Sequence, residues 1–252
     1  MSLVARHLDY ETIHHRLGHA SDEVMRHVID NVKGTKKICF PKKKHVCHGC
    51  ALGKLYQCNF PENPKCSSKT LGLIHSDLLE LPTLSYSRYK WMIIFFDDYS
   101  FYCRVAFLCK KSDATEVIKS VFQLWSNTTS HSVKCLHTDN GGEYMTSELQ
   151  SFLVEQGIIH ETSTPHVHQQ NGQAEWLNCT LLEKVQSMQL EACLPNSWWE
   201  FAFATATHVY TCTPIKHLKW KTPQEIFTGD KPKILYLCVF GCGAYVYLPN
   251  EV

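Results

Sequence analysis

Residues 133–144, VKCLHTDNGGEY, place an acidic residue and two glycines directly after a short apolar segment. Val133 to His137 has the length and apolar content of a buried strand. Asp139 follows it, so its carboxylate is expected at the strand end, where open sheets bind their ligands. The Asn-Gly-Gly sequence then favours a turn. This stretch therefore predicts an α/β sheet that presents a carboxylate at its edge.

Strand and helix patterns alternate on both sides of this stretch. Three strand-like segments and a helix precede it, and a helix, a strand and two further helices follow. Ser147 and Gln150 have the spacing of a capping box at the second of these helices. The order predicts an α/β fold, an RNase H-like mixed five-stranded sheet with flanking helices. The predicted strands are 71–81, 91–97, 103–109, 133–137 and 158–162, and the predicted helices are 113–125, 147–157, one beginning near 174, and 198–210.

The chain divides into three parts by composition. Residues 1–65 have too little apolar material for an ordinary core, so we expect a bound metal to stabilise this module. Residues 66–234 form the predicted α/β core with its trailing helices. Residues 235–252, with Gly241 and Gly243 at a bend, have the pattern of the start of a β-rich segment.

Histidines and cysteines in the first part have the spacing of a metal site. Two imidazoles and a C-x2-C pair of thiols come from His14, His19, Cys47 and Cys50. Two nitrogen and two thiolate ligands suit one tetrahedral Zn²⁺, and a closed set of four indicates a structural ion. We expect zinc removal to loosen residues 1–65 and to leave the core folded. Further candidates nearby leave the ligand set open: His15, Cys39, His45 and His48.

Three acidic residues of the core occupy positions that could converge. Asp77 lies in the first predicted strand, Asp139 follows the fourth, and Glu175 begins a helix. If the first and fourth strands are neighbours, two carboxylates project side by side and the helix can deliver the third. Three hard oxygen donors favour Mg²⁺ or Mn²⁺ over zinc. Such a site can hold two ions about 3.5–4 Å apart for an in-line phosphoryl displacement.

The combination of these motifs resembles the integrase region of copia-type long-terminal-repeat retrotransposon Pol polyproteins. The resemblance covers nearly the whole chain, because independent motifs occur in the family's order and at its distances. The matching segments are His14 with 16–19, Cys47 and Cys50 with 53–54, and then 73–78, 96–100, 137–144, 165–175, 221–223, 229, 231–232 and 240–242.

The resemblance implies a function and a set of roles. Asp77, Asp139 and Glu175 are expected to bind the divalent ions for DNA end processing and strand transfer. Gln170 and Asn171 are expected in a DNA-facing loop. The resemblance also implies a homo-multimer acting on element ends and a target duplex. The location that follows is intracellular, in the nucleus when the protein acts on DNA and otherwise in the cytoplasm.

Composition and charge limit the alternatives. No run of about 18 apolar residues and no signal peptide is visible, so no membrane partner is expected and the thirteen cysteines are expected to stay reduced. The net charge of +1 gives no global signature of DNA binding. Lysines cluster between residues 31 and 61, where Lys42, Lys43 and Lys44 are candidate phosphate contacts; a solvated loop is the alternative.

Several basic residues common in the family are replaced here, at Phe101, Trp176, Cys179 and Gln186. Fewer lysines and arginines weaken phosphate contacts. A second interpretation is therefore a decayed or host-adopted copy that serves as a non-catalytic scaffold for nucleic acid or protein. A third, an RNase H-like nuclease unrelated to integration, leaves the Cys-His group unexplained.

Overall fold

The structure, a computed structural model, describes residues 8–33, 38–41, 47–53, 67–162 and 172–244. The N-terminal part contains two short strands, paired in parallel, and three helices. The remainder contains a five-stranded sheet and five helices within the described residues. The N-terminal elements are β1 (Leu8–Asp9), α1 (Tyr10–Arg16), α2 (Asp22–Asn31), β2 (Ile38–Cys39) and α3 (His48–Gly53). The core elements are β3 (Ile74–Glu80), β4 (Trp91–Asp97), β5 (Cys103–Leu108), α4 (Ala114–Thr129), β6 (Cys135–Thr138), α5 (Ser147–Glu155), β7 (Ile159–Thr162), α6 (Gly172–Glu191), α7 (Trp199–Thr211) and α8 (Pro223–Thr228).

The main sheet has the order β5-β4-β3-β6-β7. Its first three strands in chain order form an antiparallel meander, whereas β6 and β7 run parallel to β3. The buried carboxylate of Asp97 links the residues before β3 to the turn after β4. It accepts hydrogen bonds from the N–H groups of Leu71 at 2.8 Å and Ser100 at 2.9 Å. The predicted mixed five-stranded sheet with flanking helices is therefore confirmed.

Each face of the sheet is covered by a different set of helices. Strand residues alternate between the faces, so Ile74 and Leu78 belong to one apolar cluster and Leu79 to the other. The first cluster includes residues of α4 and α5 such as Trp125, and the second includes residues of α6 and α7 such as Leu181. The site described below lies on the α6 face.

A third apolar cluster joins the N-terminal helices to the core. Ile13, Leu17 and Met25 pack in it with Val209 of α7 and with Ile234. The sequence correctly indicated too little apolar material for a separate core. The missing partner surface comes from the end of α7 and from residues that follow α8.

Some local expectations differ from the structure. The side chain of Thr146, rather than that of Ser147, caps α5 by accepting the N–H of Leu149. Residues 235–244 form turns without a strand, because Leu237 turns back onto Ile234 and is buried in the third cluster. The β-rich segment predicted for 235–252 is thus absent from its described half, and 245–252 lie outside the described residues. Among the described helices, none is long and apolar enough to cross a membrane.

Candidate metal-binding active site

The register between β3 and β6 brings two of the predicted carboxylates together. Ile74 pairs with Leu136, and His75 pairs with His137. Continued by two residues, to the first residue after β6, this register puts the position of Asp139 opposite Asp77, and neighbouring strands lie about 4.8 Å apart. Both aspartates are half-buried. The sequence prediction that the first and fourth strands are neighbours is correct.

The carboxylate of Asp77 is held from α6. Asn178 donates a hydrogen bond from Nδ2 to Asp77 Oδ2 at 2.7 Å. The side chain of Asn178 is buried, and its Oδ1 atom has no hydrogen-bond partner. Sequence analysis gave Asn178 no role. The available signal was its position three residues after Glu175, because residues three apart share one face of a helix.

The carboxylate of Asp139 is held by its own loop. The Gly141 N–H donates to Asp139 Oδ1 at 3.0 Å. A Cβ atom at Gly141 would lie 2.9 Å from this oxygen and 2.8 Å from Glu143 Cδ. A side chain at Gly141 would therefore displace one of these two carboxylates, and the loop brings the carboxyl group of Glu143 close to Asp139. Burial raises the pKa of the neighbouring Tyr144 well above its usual value, and the charges of the nearby acids raise it further.

The structure describes the backbone of Glu175, the third predicted metal ligand, but not its side chain. Glu175 belongs to the first turn of α6, and α6 contacts β3. Gln170 and Asn171, and the candidate phosphate contacts Lys42, Lys43 and Lys44, lie outside the described residues. Their predicted roles therefore stay predictions.

Two buried histidines lie two residues before the aspartates, on the same face of the sheet. The rings of His75 and His137 are 5.2 Å apart, and His75 Nε2 lies 3.4 Å from Asp98 Oδ1. Burial lowers the pKa of His137, and the neighbouring His75 lowers it further. Sequence analysis did not single them out, although strand alternation places them next to the carboxylate positions.

The four predicted zinc ligands lie together in the N-terminal part. His19 Nδ1 is 3.2 Å from Cys47 Sγ, and His14 Nε2 is 3.3 Å from Cys50 Sγ. One ligand atom from each residue lies within 4.8 Å of all the others. His14 Nδ1 lies 2.9 Å from the carbonyl oxygen of Ala20. A carbonyl only accepts, so Nδ1 carries the hydrogen and the Nε2 lone pair faces the cluster.

The alternative ligand candidates differ in how close they lie to this cluster. His15 Nε2 lies 3.7 Å from Cys47 Sγ and 3.9 Å from Glu191 Oε1, which forms a second group at the edge of the first. The side chain of His48 is exposed. The side chains of Cys39 and His45 are outside the described part of the chain. Among described residues, groups of three or more close ligands occur only in this N-terminal cluster.

Comparisons with known proteins agree with this geometry. Residues 67–168 match the family described as Integrase core domain. The chain is 31% identical over 94% of its length to the Retrovirus-related Pol polyprotein from transposon TNT 1-94 of Nicotiana tabacum, and covers 18% of that polyprotein. It is 30% identical over 93% of its length to the corresponding polyprotein from transposon RE2 of Arabidopsis thaliana, and covers 16% of it.

A solved structure supports the fold independently. In the intasome of simian T-cell lymphotropic virus, solved in complex with PP2A regulatory subunit B56 gamma, one chain aligns with a TM-score of 0.56 and 16% identity. The alignment covers 82% of the present chain and 70% of that chain. The family match over residues 67–168 and the mixed five-stranded sheet thus define an integrase-type core. The chain belongs to the integrase family of copia-type retrotransposon Pol polyproteins.

Proposed function

We propose that this chain carries out metal-dependent DNA end processing and strand transfer. The observation that carries the proposal is the β3–β6 register, which, continued by two residues, puts Asp77 in the middle of β3 opposite Asp139, the residue directly after β6. In end processing a water molecule attacks a phosphodiester near a DNA end, and in strand transfer a 3′-hydroxyl group attacks the target duplex. No protein side chain has to act as the nucleophile. DNA element ends and a target duplex are the proposed substrates, which would place the active protein in the nucleus.

The carboxylate pair fits hard divalent cations. Asp77, Asp139 and Glu175 would hold two Mg²⁺ or Mn²⁺ ions, and oxygen donors suit both metals. When bound, such ions activate the attacking oxygen and stabilise the leaving oxygen of an in-line displacement. The protein's own contribution is orientation: Asn178 fixes the Asp77 carboxylate, and the Gly141 N–H fixes that of Asp139.

The N-terminal cluster fits one structural Zn²⁺. Its donor set is two imidazoles and two thiols, and the bond from His14 to Ala20 leaves the ring nitrogen of His14 ready to bind. We assign this ion to His14, His19, Cys47 and Cys50. His15 and Glu191 then belong to the surroundings of the site, with His15 close to Cys47 and Glu191.

A strand-transfer assay tests the proposed function. The purified chain is mixed with short duplexes that end in terminal repeats, in Mg²⁺ and in Mn²⁺, and joined products are counted. Asp139→Asn should abolish joining and leave the fold intact, because an amide lacks the charge that holds the metals. Asp230→Asn, at an exposed aspartate far along the chain, is the matched control and should join like the wild type.

Three outcomes would contradict the proposal. Full activity of Asp139→Asn would move the site elsewhere, with Glu143 as the first alternative. A folded, metal-binding protein that joins no DNA would favour the scaffold interpretation. Cleavage of RNA–DNA hybrids without joining would favour an RNase H-like nuclease.

A homo-multimer is part of the proposal, since two DNA ends have to be joined to one target. Light scattering of the chain with and without DNA ends tests it. A complex that contains one copy of the chain on paired ends would contradict it.

A further inference from the structure

A continuous run of hydrogen bonds lies beside the end of β6, which leads into Asp139. Gln150 Nε2 lies 2.9 Å from the carbonyl oxygen of Tyr144 and 2.9 Å from His160 Nδ1. His160 Nε2 lies 2.9 Å from Thr138 Oγ1. The Thr138 hydroxyl group donates to the backbone carbonyl of Asp139 at 2.8 Å. The run therefore connects α5, β7 and β6, and it ends on the backbone of Asp139.

The partners of each hydrogen bond in this run determine which atom is the donor. The carbonyl oxygen of Tyr144 only accepts, so the amide nitrogen of Gln150 faces it. The same nitrogen gives its second hydrogen to His160 Nδ1, which has to be unprotonated. The neutral ring then carries its hydrogen on Nε2 and donates it to Thr138 Oγ1. The hydroxyl hydrogen of Thr138 is left to bind the carbonyl oxygen of Asp139.

The surroundings favour this arrangement. Thr138 and Tyr144 have no exposed surface, so water cannot readily replace their partners. Burial lowers the pKa of His160, which keeps the ring neutral near pH 7. The run also extends towards the other aspartate, because the Tyr144 hydroxyl group lies 3.0 Å from Ser76 Oγ, and Ser76 directly precedes Asp77.

We propose that His160 is a positioning residue, whose neutral Nε2–H tautomer, held by Gln150, fixes through Thr138 the backbone that presents the Asp139 carboxylate to divalent metal. The proposal rests on the proposed function of Asp139 as a metal ligand. His160 itself touches neither metal nor DNA in this arrangement. Hydrogen-bonded residues behind a metal ligand set its orientation, and their loss typically lowers metal affinity or activity about 10- to 100-fold.

Two substitutions of His160 distinguish the hydrogen-bonded relay, which runs from Gln150 through His160 and Thr138 to the backbone of Asp139, from an effect on packing. His160→Gln keeps an amide N–H at the place of Nε2 and can still donate to Thr138. His160→Asn reaches only the place of Nδ1 and keeps the contact with Gln150 alone. We expect His160→Asn to weaken Mn²⁺ binding, measured by calorimetry, about tenfold or more. His160→Gln should bind Mn²⁺ nearly as the wild type does.

Strand transfer gives the second readout. His160→Asn should lower kcat with little change in KM for DNA, because the relay acts on the metal ligand and not on the duplex. Thr138→Val removes the hydroxyl group at similar volume and should have the same effect, and the double variant should be no worse than either single one. Equal losses in the Gln and Asn variants, or additive losses in the double variant, would overturn the relay.

Nitrogen-15 NMR of the histidine side chains tests the tautomer without any activity. At about pH 7.5 the His160 ring should show a protonated Nε2 and an unprotonated Nδ1. A protonated Nδ1 would overturn the proposal even if the enzyme joins DNA. If the wild type joins no DNA but the tautomer and the Mn²⁺ effects are found, the proposed function fails and the positioning of Asp139 stands.

Discussion

Asn178 contributes to the site although it is outside the predicted triad. Its amide group binds the carboxylate of Asp77 and carries no charge of its own, so it orients the ligand without competing for metal. The sequence identified the carboxylates because charge, position and resemblance all single them out. The spacing of Asn178 from Glu175 was a signal but was not enough by itself, because it gives a role to Asn178 only once the packing of α6 on β3 is known.

We predict that Asn178→Ala lowers Mn²⁺ affinity or strand transfer about 10- to 100-fold, since Asp77 loses the donor that orients it. Strand-transfer rates across a series of Mn²⁺ concentrations measure the effect. Gln186→Ala, at an exposed residue of the same helix, is the control and should be neutral. An unchanged Mn²⁺ dependence in Asn178→Ala would contradict the role given to Asn178.

The lowered pKa of His160 predicts how the free energy of unfolding depends on pH. Burial lowers its pKa, so below its ordinary pKa of about 6.5 the unfolded chain binds more protons than the folded chain. Its contribution to stability is therefore complete above about 6.5 and is lost as the pH falls from that value through the lowered pKa of the folded chain. Urea unfolding at about pH 7.5 and about pH 5.5 should show a smaller loss for His160→Gln than for the wild type. An equal loss in both proteins would show that His160 has no shifted pKa.

Among the secondary-structure elements, α3 packs closely against α6 at two glycines of α3, Gly49 and Gly53. A Cβ atom at Gly53 would lie 2.3 Å from Ser187 Oγ and 3.0 Å from its backbone nitrogen. A Cβ atom at Gly49 would lie 3.0 Å from the ring of His19 and 3.3 Å from the Ser187 carbonyl oxygen. The cluster of His14, His19, Cys47 and Cys50 thus lies against the helix whose first turn contains Glu175. The motif that contains Gly53 was recognised in the sequence, but its packing role needed the structure.

Gly53→Ala should destabilise the protein by about 1–3 kcal/mol, because the added methyl group overlaps the backbone of α6. Denaturant unfolding of the zinc-bound protein measures the change. Gly243→Ala has open space around the added atom and should differ little from the wild type. Equal stability of the two variants would mean that α3 does not pack on α6 in this way.

Prediction of elements from sequence succeeded where periodicity and burial agree. All five strands and the long helices of the core were expected, because the strands contain short apolar runs such as residues 91–96 and the helices carry one apolar face. It failed at residues 235–244, where Leu237 is buried in the third cluster but Leu235 and Tyr236 are exposed. The apolar pattern predicted burial, and only the tertiary contacts determine which of these residues are buried.

For the whole molecule, the third cluster, which the N-terminal helices share with the core, changes the expected effect of zinc removal. A self-contained zinc module would unfold alone when zinc is removed, but the described N-terminal helices pack on α7 and on Ile234 and Leu237. We therefore predict that a chelator raises hydrogen exchange in residues 8–53 and also near 209–212 and 234–237. The central strands β3, β4 and β6 should keep their protection. Unchanged exchange at 209–212 would show that the two parts are independent.

The most direct test of the central claim compares strand transfer by Glu175→Gln with that by Glu143→Gln. Both substitutions remove one carboxylate charge, but only Glu175 belongs to the proposed metal-binding triad, whereas Glu143 lies close to Asp139 in the loop after β6. With both proteins folded, Glu175→Gln should fall to about one hundredth of the wild-type rate or less, and Glu143→Gln should stay within about tenfold of it. A collapse of activity in Glu143→Gln together with an active Glu175→Gln would contradict the proposed triad.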